Sequence, residues 1–228
     1  MSVEWYDMIA KRNGGYKSDA IYTVEGNSGE YAFEERLIEM LPNFQSVLDA
    51  GCGHGEFTLK MSRYAKSLTG FDNSAELLKI ANSILEERTD VDNVDFVWIS
   101  TKKDSPFEEN QFDFIYTRRG PTSILNHRPI LKPGGFIFGI HSTEQERVTN
   151  RLNDNGFVDI TFEVFDEAYK CFPNEREFTK YLSSMHGRPD YTLPENQAEL
   201  NRLIEENTFD GQLKFKEWRY IWSARNPE

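Results

Sequence analysis

The sequence predicts an α/β protein built on a doubly wound, mostly parallel sheet with helices on both faces. Short runs of β-branched and aromatic residues recur along the first 140 residues, and amphipathic helical patterns lie between them. Strands that alternate with helices in this way favour a parallel sheet that is covered on both sides. With 228 residues and 38% hydrophobic content, the chain can bury a substantial core as one unit.

The strands expected in this first part are short enough to be buried. They are residues 46–50, 67–71, 94–99, 112–116 and 136–140. Between them, residues 55–65 and 74–87 space their apolar side chains at three and four, as an amphipathic helix does. Ser74 is placed to cap the second of these helices.

Beyond residue 140 the alternation changes. We expect a helix at 143–153, a strand at 156–165 and a last strand at 212–224. Between those two strands, residues 166–210 contain two helical patterns separated by the turn-rich segment HGRPDYTLP. The sequence therefore predicts seven strand segments and a helical cap inserted before the last strand.

The composition counts against some classes of partner. A formal net charge of -12 and an isoelectric point near 4.9 repel a phosphate backbone and an anionic membrane. The sequence has no apolar stretch long enough for a spanning helix and no signal-peptide core, so we expect a cytoplasmic protein without a membrane partner. Cys52 and Cys171 lie far apart and outside any metal-ligand pattern, so we expect no metal.

The most informative stretch is VLDAGCGHGEFT, in which a strand runs through Gly51, Gly53 and Gly55 into a helix. Glycines allow a ligand to approach the backbone, and this strand-to-helix turn is the usual binding crevice of a parallel sheet. About twenty residues later, GFD places Asp72 where such folds position an acid on ribose hydroxyls. Because Glu56 replaces the third glycine of a dinucleotide fingerprint, the pattern favours a nucleoside over a dinucleotide.

Four motifs in order resemble those of the class I S-adenosylmethionine-dependent methyltransferases, in the manner of type 11 methyltransferases. DAGCGHG is similar to their first motif and GFDNS to their second. QFDFIYTRRGPTSIL is similar to the fourth-strand segment, and ILKPGGFIFGI to the segment that leads into the fifth. The resemblance covers about residues 44–140. It implies a Rossmann-like methyltransferase fold with seven strands, the last antiparallel, and methyl transfer from S-adenosylmethionine with S-adenosylhomocysteine as product.

The resemblance also implies which residues hold the cofactor. Asp49 and the backbone of 51–53 would contact the methionine part, Asp72 the ribose hydroxyls, and Asn73 would lie near the adenosine. Where many relatives have an acid for the adenine amino group, ISTKKDSPF departs from the pattern, so either the loop is re-registered or a backbone contact near Lys102 replaces it. The expected cofactor-binding set is Asp49, Ala50, Gly51, Cys52, Gly53, Gly55, Asp72, Asn73, Thr101, Lys102 and Thr117.

Acceptor residues are expected where the fourth and fifth strands end. His141 could take a proton from the acceptor, and a structural, hydrogen-bonded role is the alternative. Arg118 and Arg119 could bind a carboxylate or phosphate of the acceptor, or an arginine could pair with a neighbouring acid. Tyr16 and Tyr22 are expected to form part of an aromatic lid that excludes water.

We therefore expect a single methyltransferase domain, with an N-terminal lid and helix at 1–43, a cofactor-binding core at 44–165, a helical cap at 166–210 and the last strand at 211–228. A small-molecule acceptor is favoured, and an RNA base is the leading other substrate. A nicotinamide-dependent oxidoreductase shares the glycine turn, but the glycine spacing and the Lys-Pro-Gly-Gly segment count against it. A protein that binds the cofactor without turnover remains a third possibility.

Overall fold

The computed structural model describes residues 3–15, 18–100 and 107–228. Three of the residues expected at the site, Tyr16, Thr101 and Lys102, lie outside the described residues, so their roles stay predictions.

Over residues 3–98, helices and strands alternate along the chain, and the described residues also contain 3₁₀ segments at Leu41–Asn43, Thr122–Ile130 and Pro194–Asn196. In chain order the other elements are α1 (Val3–Asn13), β1 (Thr23–Glu25), α2 (Gly29–Met40), β2 (Val47–Ala50), α3 (Glu56–Met61), β3 (Leu68–Asp72), α4 (Ala75–Glu86), β4 (Val94–Trp98), β5 (Phe112–Arg118), β6 (Leu131–His141), α5 (Gln145–Asp154), β7 (Val158–Phe165), β8 (Tyr169–Phe172), α6 (Glu175–Ser183), α7 (Gln197–Glu206), β9 (Thr208–Phe209), β10 (Gln212–Lys216) and β11 (Arg219–Arg225).

A seven-stranded sheet forms the centre of the fold, in the order β4-β3-β2-β5-β6-β11-β7. The pairs from β4 to β6 are all parallel, whereas β11 runs antiparallel to both of its neighbours. The order reverses between β2 and β5, which creates a crevice at the carboxyl ends of these strands. The predicted fold class, a mostly parallel sheet with an antiparallel last strand, is confirmed.

Both faces of the inner strands of this sheet are buried, which explains their unbroken apolar runs. Val47 and Phe114 pack into one core cluster, and their sequence neighbours Leu48 and Ile115 pack into the other. Helices α2 and α3 contribute to the first cluster, and α5 contributes to the second. Because successive strand residues point to opposite faces, each apolar run supplies both clusters at once.

The cap contains the two predicted helices, α6 and α7, together with a sheet that the sequence analysis did not predict. The predicted last strand at 212–224 is divided into β10 and β11, which belong to different sheets. Strand β10 joins β1, β8 and β9 in a four-stranded antiparallel sheet. The chain leaves this sheet at Glu217, whose buried carboxylate accepts hydrogen bonds from Lys170 at 2.7 Å and Ser28 at 2.6 Å.

Strands β6 and β11 meet closely at Gly139, which pairs with Trp222. A Cβ atom at Gly139 would lie 2.3 Å from two carbons of the indole ring. We expect Gly139→Ala to lower the free energy of unfolding by about 1–3 kcal/mol, measured by urea denaturation, because the core has no room for the methyl group. In the double variant Gly139→Ala, Trp222→Phe, the smaller ring should recover part of the lost free energy of unfolding. Strictly additive costs of the two substitutions would contradict the close contact.

Candidate active site

The glycine loop after β2 is held between the ends of β3 and β5. Gly51, Gly53 and Gly55 all have positive φ, at 89°, 57° and 80°. The backbone N–H of Gly51 donates to the Phe71 carbonyl at 2.9 Å, and a Cβ at Gly51 would lie 2.6 Å from Pro121 Cδ. The loop therefore requires glycine both for its backbone angles and for its contact with the segment after β5.

Asp72 joins the end of β3 to this loop. Its Oδ2 accepts the Gly53 N–H at 3.0 Å, and its Oδ1 accepts the Ser74 N–H at 2.9 Å. Burial raises the pKa of this carboxyl above its ordinary value, against the effect of its backbone hydrogen bonds. Each carboxylate oxygen has a second lone pair and can accept one more hydrogen bond. The two motifs that the sequence identified separately are thus in direct contact.

Asp49 lies beneath the loop, fully surrounded by protein. Its Oδ2 accepts hydrogen bonds from Thr58 Oγ1 at 2.7 Å and from the Tyr116 hydroxyl at 2.9 Å. Burial raises the pKa of Asp49 to about 6, although both hydrogen bonds act in the opposite direction. Thr58 and Tyr116 were not identified from the sequence, because a threonine on a helix and a tyrosine on a strand carry no local signal for this contact.

Three further expected cofactor residues, Thr117, Cys52 and Asn73, lie around the same turn. Thr117 Oγ1 donates to the Ala50 carbonyl at 2.9 Å, which ties the end of β5 to the end of β2. The Cys52 thiol is buried, and burial raises its pKa well above the ordinary value. The Asn73 carbonyl accepts the Trp98 indole N–H at 3.1 Å, which fixes the backbone after Asp72.

Helix α1 reaches from the start of α4, at Ser74, to the cap. Its Asp7 Oδ1 accepts the Ser74 hydroxyl at 2.5 Å, and Ser74 caps α4 by accepting the Leu77 N–H at 3.1 Å. At the cap, the rings of Trp5 and His186 meet edge to face, with centroids 4.6 Å apart. The N-terminal helix therefore touches both sides of the crevice.

Tyr22 lies in the aromatic wall of the cap. Its ring packs against Phe172 and Tyr181, with centroids 5.6 Å and 5.7 Å away, and Lys170 Nζ lies 4.9 Å from its centroid. It also lines a cavity of about 600 Å³ on the cap sheet, none of whose lining residues belong to the glycine loop. The structure thus places Tyr22 beside Tyr181, in the cap.

Arg118 and Arg119 pair with the same acid, Glu30 in the first turn of α2. Their Nε atoms lie 2.9 Å and 3.3 Å from its carboxylate oxygens, and Arg219 Nε lies 2.9 Å away. Burial favours the neutral form of Glu30, but the charges of Arg119, Arg118 and Arg219 outweigh it and hold the pKa well below its usual range. Arg219 and Glu30 were not identified from the sequence, because they meet only through the fold: β11 begins at Arg219 on the side of the sheet where β5 ends at Arg118.

Both ring nitrogens of His141 have protein partners. Its Nδ1 accepts the Trp222 indole N–H at 3.0 Å, and its Nε2 lies 3.1 Å from the Gly120 carbonyl oxygen. Because Trp222 can only donate, Nδ1 carries the lone pair and Nε2 carries the proton. Burial lowers the pKa of His141 to about 4. This arrangement favours the structural role over the role of proton acceptor.

Residues 3–15, 18–100 and 107–228 form no helix with the length and apolarity needed to cross a membrane. They also contain no group of three or more His, Cys, Asp or Glu side chains arranged to hold a metal ion.

The sheet order, the glycine loop and Asp72 together define a Rossmann-like α/β protein. Residues 47–135 match the family model described as a methyltransferase domain. This match spans β2 to β6, the part of the chain that carries the glycine loop, Asp72 and the end of β5. Over residues 47–135 the chain therefore matches the methyltransferase-domain family, and its fold is that of the class I S-adenosylmethionine-dependent methyltransferases.

The chain is similar to several known proteins. It is 27% identical over 127 residues to a ubiquinone biosynthesis O-methyltransferase from Hydrogenovibrio crunogenus, covering 49% of this chain and 52% of that protein. The chain spans about half, or less, of the length of the curated relatives it matches. A functionally unknown protein from Deinococcus radiodurans R1 shares the fold with a TM-score of 0.71 and 24% identity, over 98% of this chain and 99% of that one.

A second solved structure with this fold contains S-adenosyl-L-methionine. It is phosphoethanolamine N-methyltransferase 2 from Haemonchus contortus, in complex with S-adenosyl-L-methionine. It shares the fold with a TM-score of 0.56 and 16% identity, over 98% of this chain and 60% of that one.

The first prediction from this geometry concerns Glu30→Gln. A carboxyl whose folded pKa is depressed stabilises the fold above its unfolded pKa, and this contribution disappears as the pH falls through the folded pKa. We expect Glu30→Gln to cost on the order of 3 kcal/mol at pH 7, because it leaves three guanidinium groups without their carboxylate. The deficit in free energy of unfolding should shrink progressively below the ordinary pKa of 4.5.

Glu163→Gln is the matched control for this measurement. Glu163 also pairs with an arginine, Arg36 of α2, but the Glu163 side chain is 52% exposed. The control should cost less than about 1 kcal/mol at pH 7. Equal costs for the two variants would contradict the special role of Glu30.

The second prediction concerns the protonation of His141. Because burial lowers its pKa to about 4, the ring should remain neutral at pH 6 with the proton on Nε2. ¹⁵N-resolved NMR of the imidazole nitrogens distinguishes this tautomer from the imidazolium. Trp222→Phe removes the donor to Nδ1 and serves as the comparison, since its Nδ1 signal should shift. An imidazolium signal at pH 6 in the unsubstituted protein would show that the ring is not held as described.

Proposed function

We propose that this protein binds S-adenosylmethionine and transfers its methyl group to a small-molecule acceptor. The observation that carries this proposal is the hydrogen bond between the Gly53 N–H and the Asp72 carboxylate. It joins the two cofactor motifs at the reversal of strand order, where ligands of such sheets bind.

The residues present fit this cofactor. A loop whose glycines leave the backbone uncovered can accept a ligand in van der Waals contact, and Asp72 offers two oxygens for adjacent ribose hydroxyls. We assign the methionine part to the loop above Asp49, and the adenosine to the side of Asn73. The positive sulfonium supplies an electrophilic methyl group when the cofactor is bound. The buried carboxyls of Asp49 and Asp72 provide negative charge on this side of the crevice.

We propose that the protein contributes mainly position to the methyl transfer. Holding an acceptor in a near-attack geometry can supply a large share of the barrier reduction for a displacement between two bound molecules. His141 then acts as a positioning residue, because it holds the Gly120 carbonyl and, through Nδ1, the Trp222 ring. The acceptor would lie between the end of β5 and the cap, with Tyr22 on the cap side.

A small-molecule acceptor is favoured over RNA for two reasons. The net charge of -12 opposes the approach of a polyanion. The Hydrogenovibrio relative is named for ubiquinone biosynthesis, which supports an acceptor of low molecular mass. A protein that binds the cofactor without turnover would share the same loop and Asp72, and an acceptor screen separates the two.

The test is calorimetric titration with S-adenosylmethionine, S-adenosylhomocysteine and NADH. We expect both sulfur nucleosides to bind and NADH not to bind. Asp72→Ala should weaken binding roughly 10- to 100-fold, because it removes hydrogen bonds from a charged group to the ribose.

Asp113→Ala is the matched control. Asp113 also accepts two backbone N–H groups, from Gln45 and Ser46. It lies near the start of β5, however, at the end of the sheet opposite to the glycine loop. This variant loses the same kind of structural contacts and should keep the cofactor affinity of the unsubstituted protein. Binding of NADH alone, or equal losses in the two variants, would count against the assigned cofactor site.

A further inference from the structure

Three guanidinium groups converge on one carboxylate where β5 ends and β11 begins. Arg118, Arg119 and Arg219 all meet Glu30 through their Nε atoms, at 2.9 to 3.3 Å. Three positive groups thus meet at one carboxylate, in a chain whose formal net charge is -12. Concentrating cations at one place in an acidic protein favours the binding of an anion there.

We propose that the acceptor carries a phosphate or carboxylate group and that Arg118, Arg119 and Arg219 bind it. This inference rests on the proposed function and names the substrate class for the same site. The planar guanidinium fork binds the oxygens of either anion through two parallel hydrogen bonds, which orients the acceptor as well as attracting it.

The cluster is already rigid without a ligand. The Arg118 guanidinium lies 4.5 Å from the centroid of the Phe57 ring, and Arg219 Nη1 donates to the Trp218 carbonyl at 2.8 Å. Arg119 has a φ of 61°, a left-handed conformation that is uncommon outside glycine, and its N–H donates to the Ile140 carbonyl at 2.9 Å. Side chains fixed before binding lose little entropy when an anion arrives.

The cluster faces the cap as well as the core. Tyr181 on α6 lies close enough to Arg219 and Arg119 for their charges to oppose the effect of burial, which raises the pKa of its hydroxyl to about 12. The hydroxyl is therefore protonated near neutral pH and can donate to an anion. An acceptor bound here is enclosed by strands β5 and β11 on one side and by α6 on the other.

Two carboxylates could occupy the cluster: a group of the acceptor, or the methionine carboxylate of the cofactor. Arg118 lies near the cofactor side, since its charge lowers the pKa of Asp49. Arg219, however, begins β11, which is three strands from β2 and therefore about 14 Å away at roughly 4.8 Å per strand. The cluster extends away from the glycine loop, and this favours the acceptor.

The experiment is calorimetry at low ionic strength with inorganic pyrophosphate, acetate and, separately, S-adenosylhomocysteine. Arg219→Gln should weaken binding of pyrophosphate roughly 10- to 100-fold, the change expected for a lost charge-assisted hydrogen bond, and leave S-adenosylhomocysteine unchanged. Arg225→Gln is the matched control, since Arg225 ends the same strand and pairs with the exposed Asp159. It should alter neither affinity.

Each result has a distinct meaning. If the unsubstituted protein binds neither pyrophosphate nor acetate, or if Arg225→Gln matches Arg219→Gln, the anion site is overturned. If Arg219→Gln weakens S-adenosylhomocysteine as much as pyrophosphate, the cluster holds the cofactor, and the assignment to the acceptor is overturned. Failure of the unsubstituted protein to bind S-adenosylhomocysteine, with pyrophosphate still bound, contradicts the proposed function and leaves the anion site standing.

A second measurement removes the dependence on one variant. If Arg219→Gln lowers the melting temperature too far for titration, NMR of the arginine Nε–H signals in the unsubstituted protein replaces it. Addition of pyrophosphate should shift three of these signals together. The signal that disappears in Arg118→Gln identifies the one that belongs to Arg118. Unchanged arginine signals at saturating pyrophosphate would overturn the proposal.

Discussion

The site depends on the close approach of two backbone segments, the end of β2 and the turn after β5. A Cβ at Gly120 would lie 2.0 Å from the Ala50 carbonyl oxygen, and a Cβ at Gly51 would lie 2.8 Å from the Gly120 Cα. No side chain fits at either position. On its other side, the Gly120 carbonyl lies 3.1 Å from His141 Nε2, and His141 is held by Trp222. The turn at Gly120 therefore connects the glycine loop to the antiparallel strand β11.

The two sides of this contact differ in their charged groups. On the side of the glycine loop, burial raises the pKa values of Asp49 and Asp72, because the charged form of each carboxyl costs free energy there. Across the segment 118–120, the arginines that meet Glu30 reverse the balance and hold the pKa of that acid low. A cation on the first side and an anion on the second would each lower the free energy of this arrangement. A sulfonium cofactor and an anionic acceptor have this pattern.

The part of the fold that could be predicted from the sequence is the part specified by local pattern. The parallel strands are apolar runs bounded by turns, and the glycine loop and Asp72 stand at a spacing that strand and helix lengths impose. The cap sheet could not be found in this way, because β1 is three residues long and pairs with β8 across almost 150 residues of chain. The division of the last predicted strand at Glu217 is equally non-local, since it depends on a buried pair with Lys170.

The same distinction separates the position of a site residue from its chemistry. Sequence reasoning placed Arg118, Arg119 and His141 at strand ends, where the structure has them, but it could not supply their partners. Glu30 and Arg219 are 189 residues apart in sequence, and Trp222 is 81 residues from His141. Those partners decide whether a histidine can accept a proton or an arginine can attract an anion. With both nitrogens of His141 engaged and its pKa lowered to about 4, the structure favours fixed geometry as its contribution. Methyl transfer is a displacement that depends on alignment of the reacting atoms. In the function proposed above, the Gly120–His141–Trp222 connection would contribute to that alignment without a proton transfer.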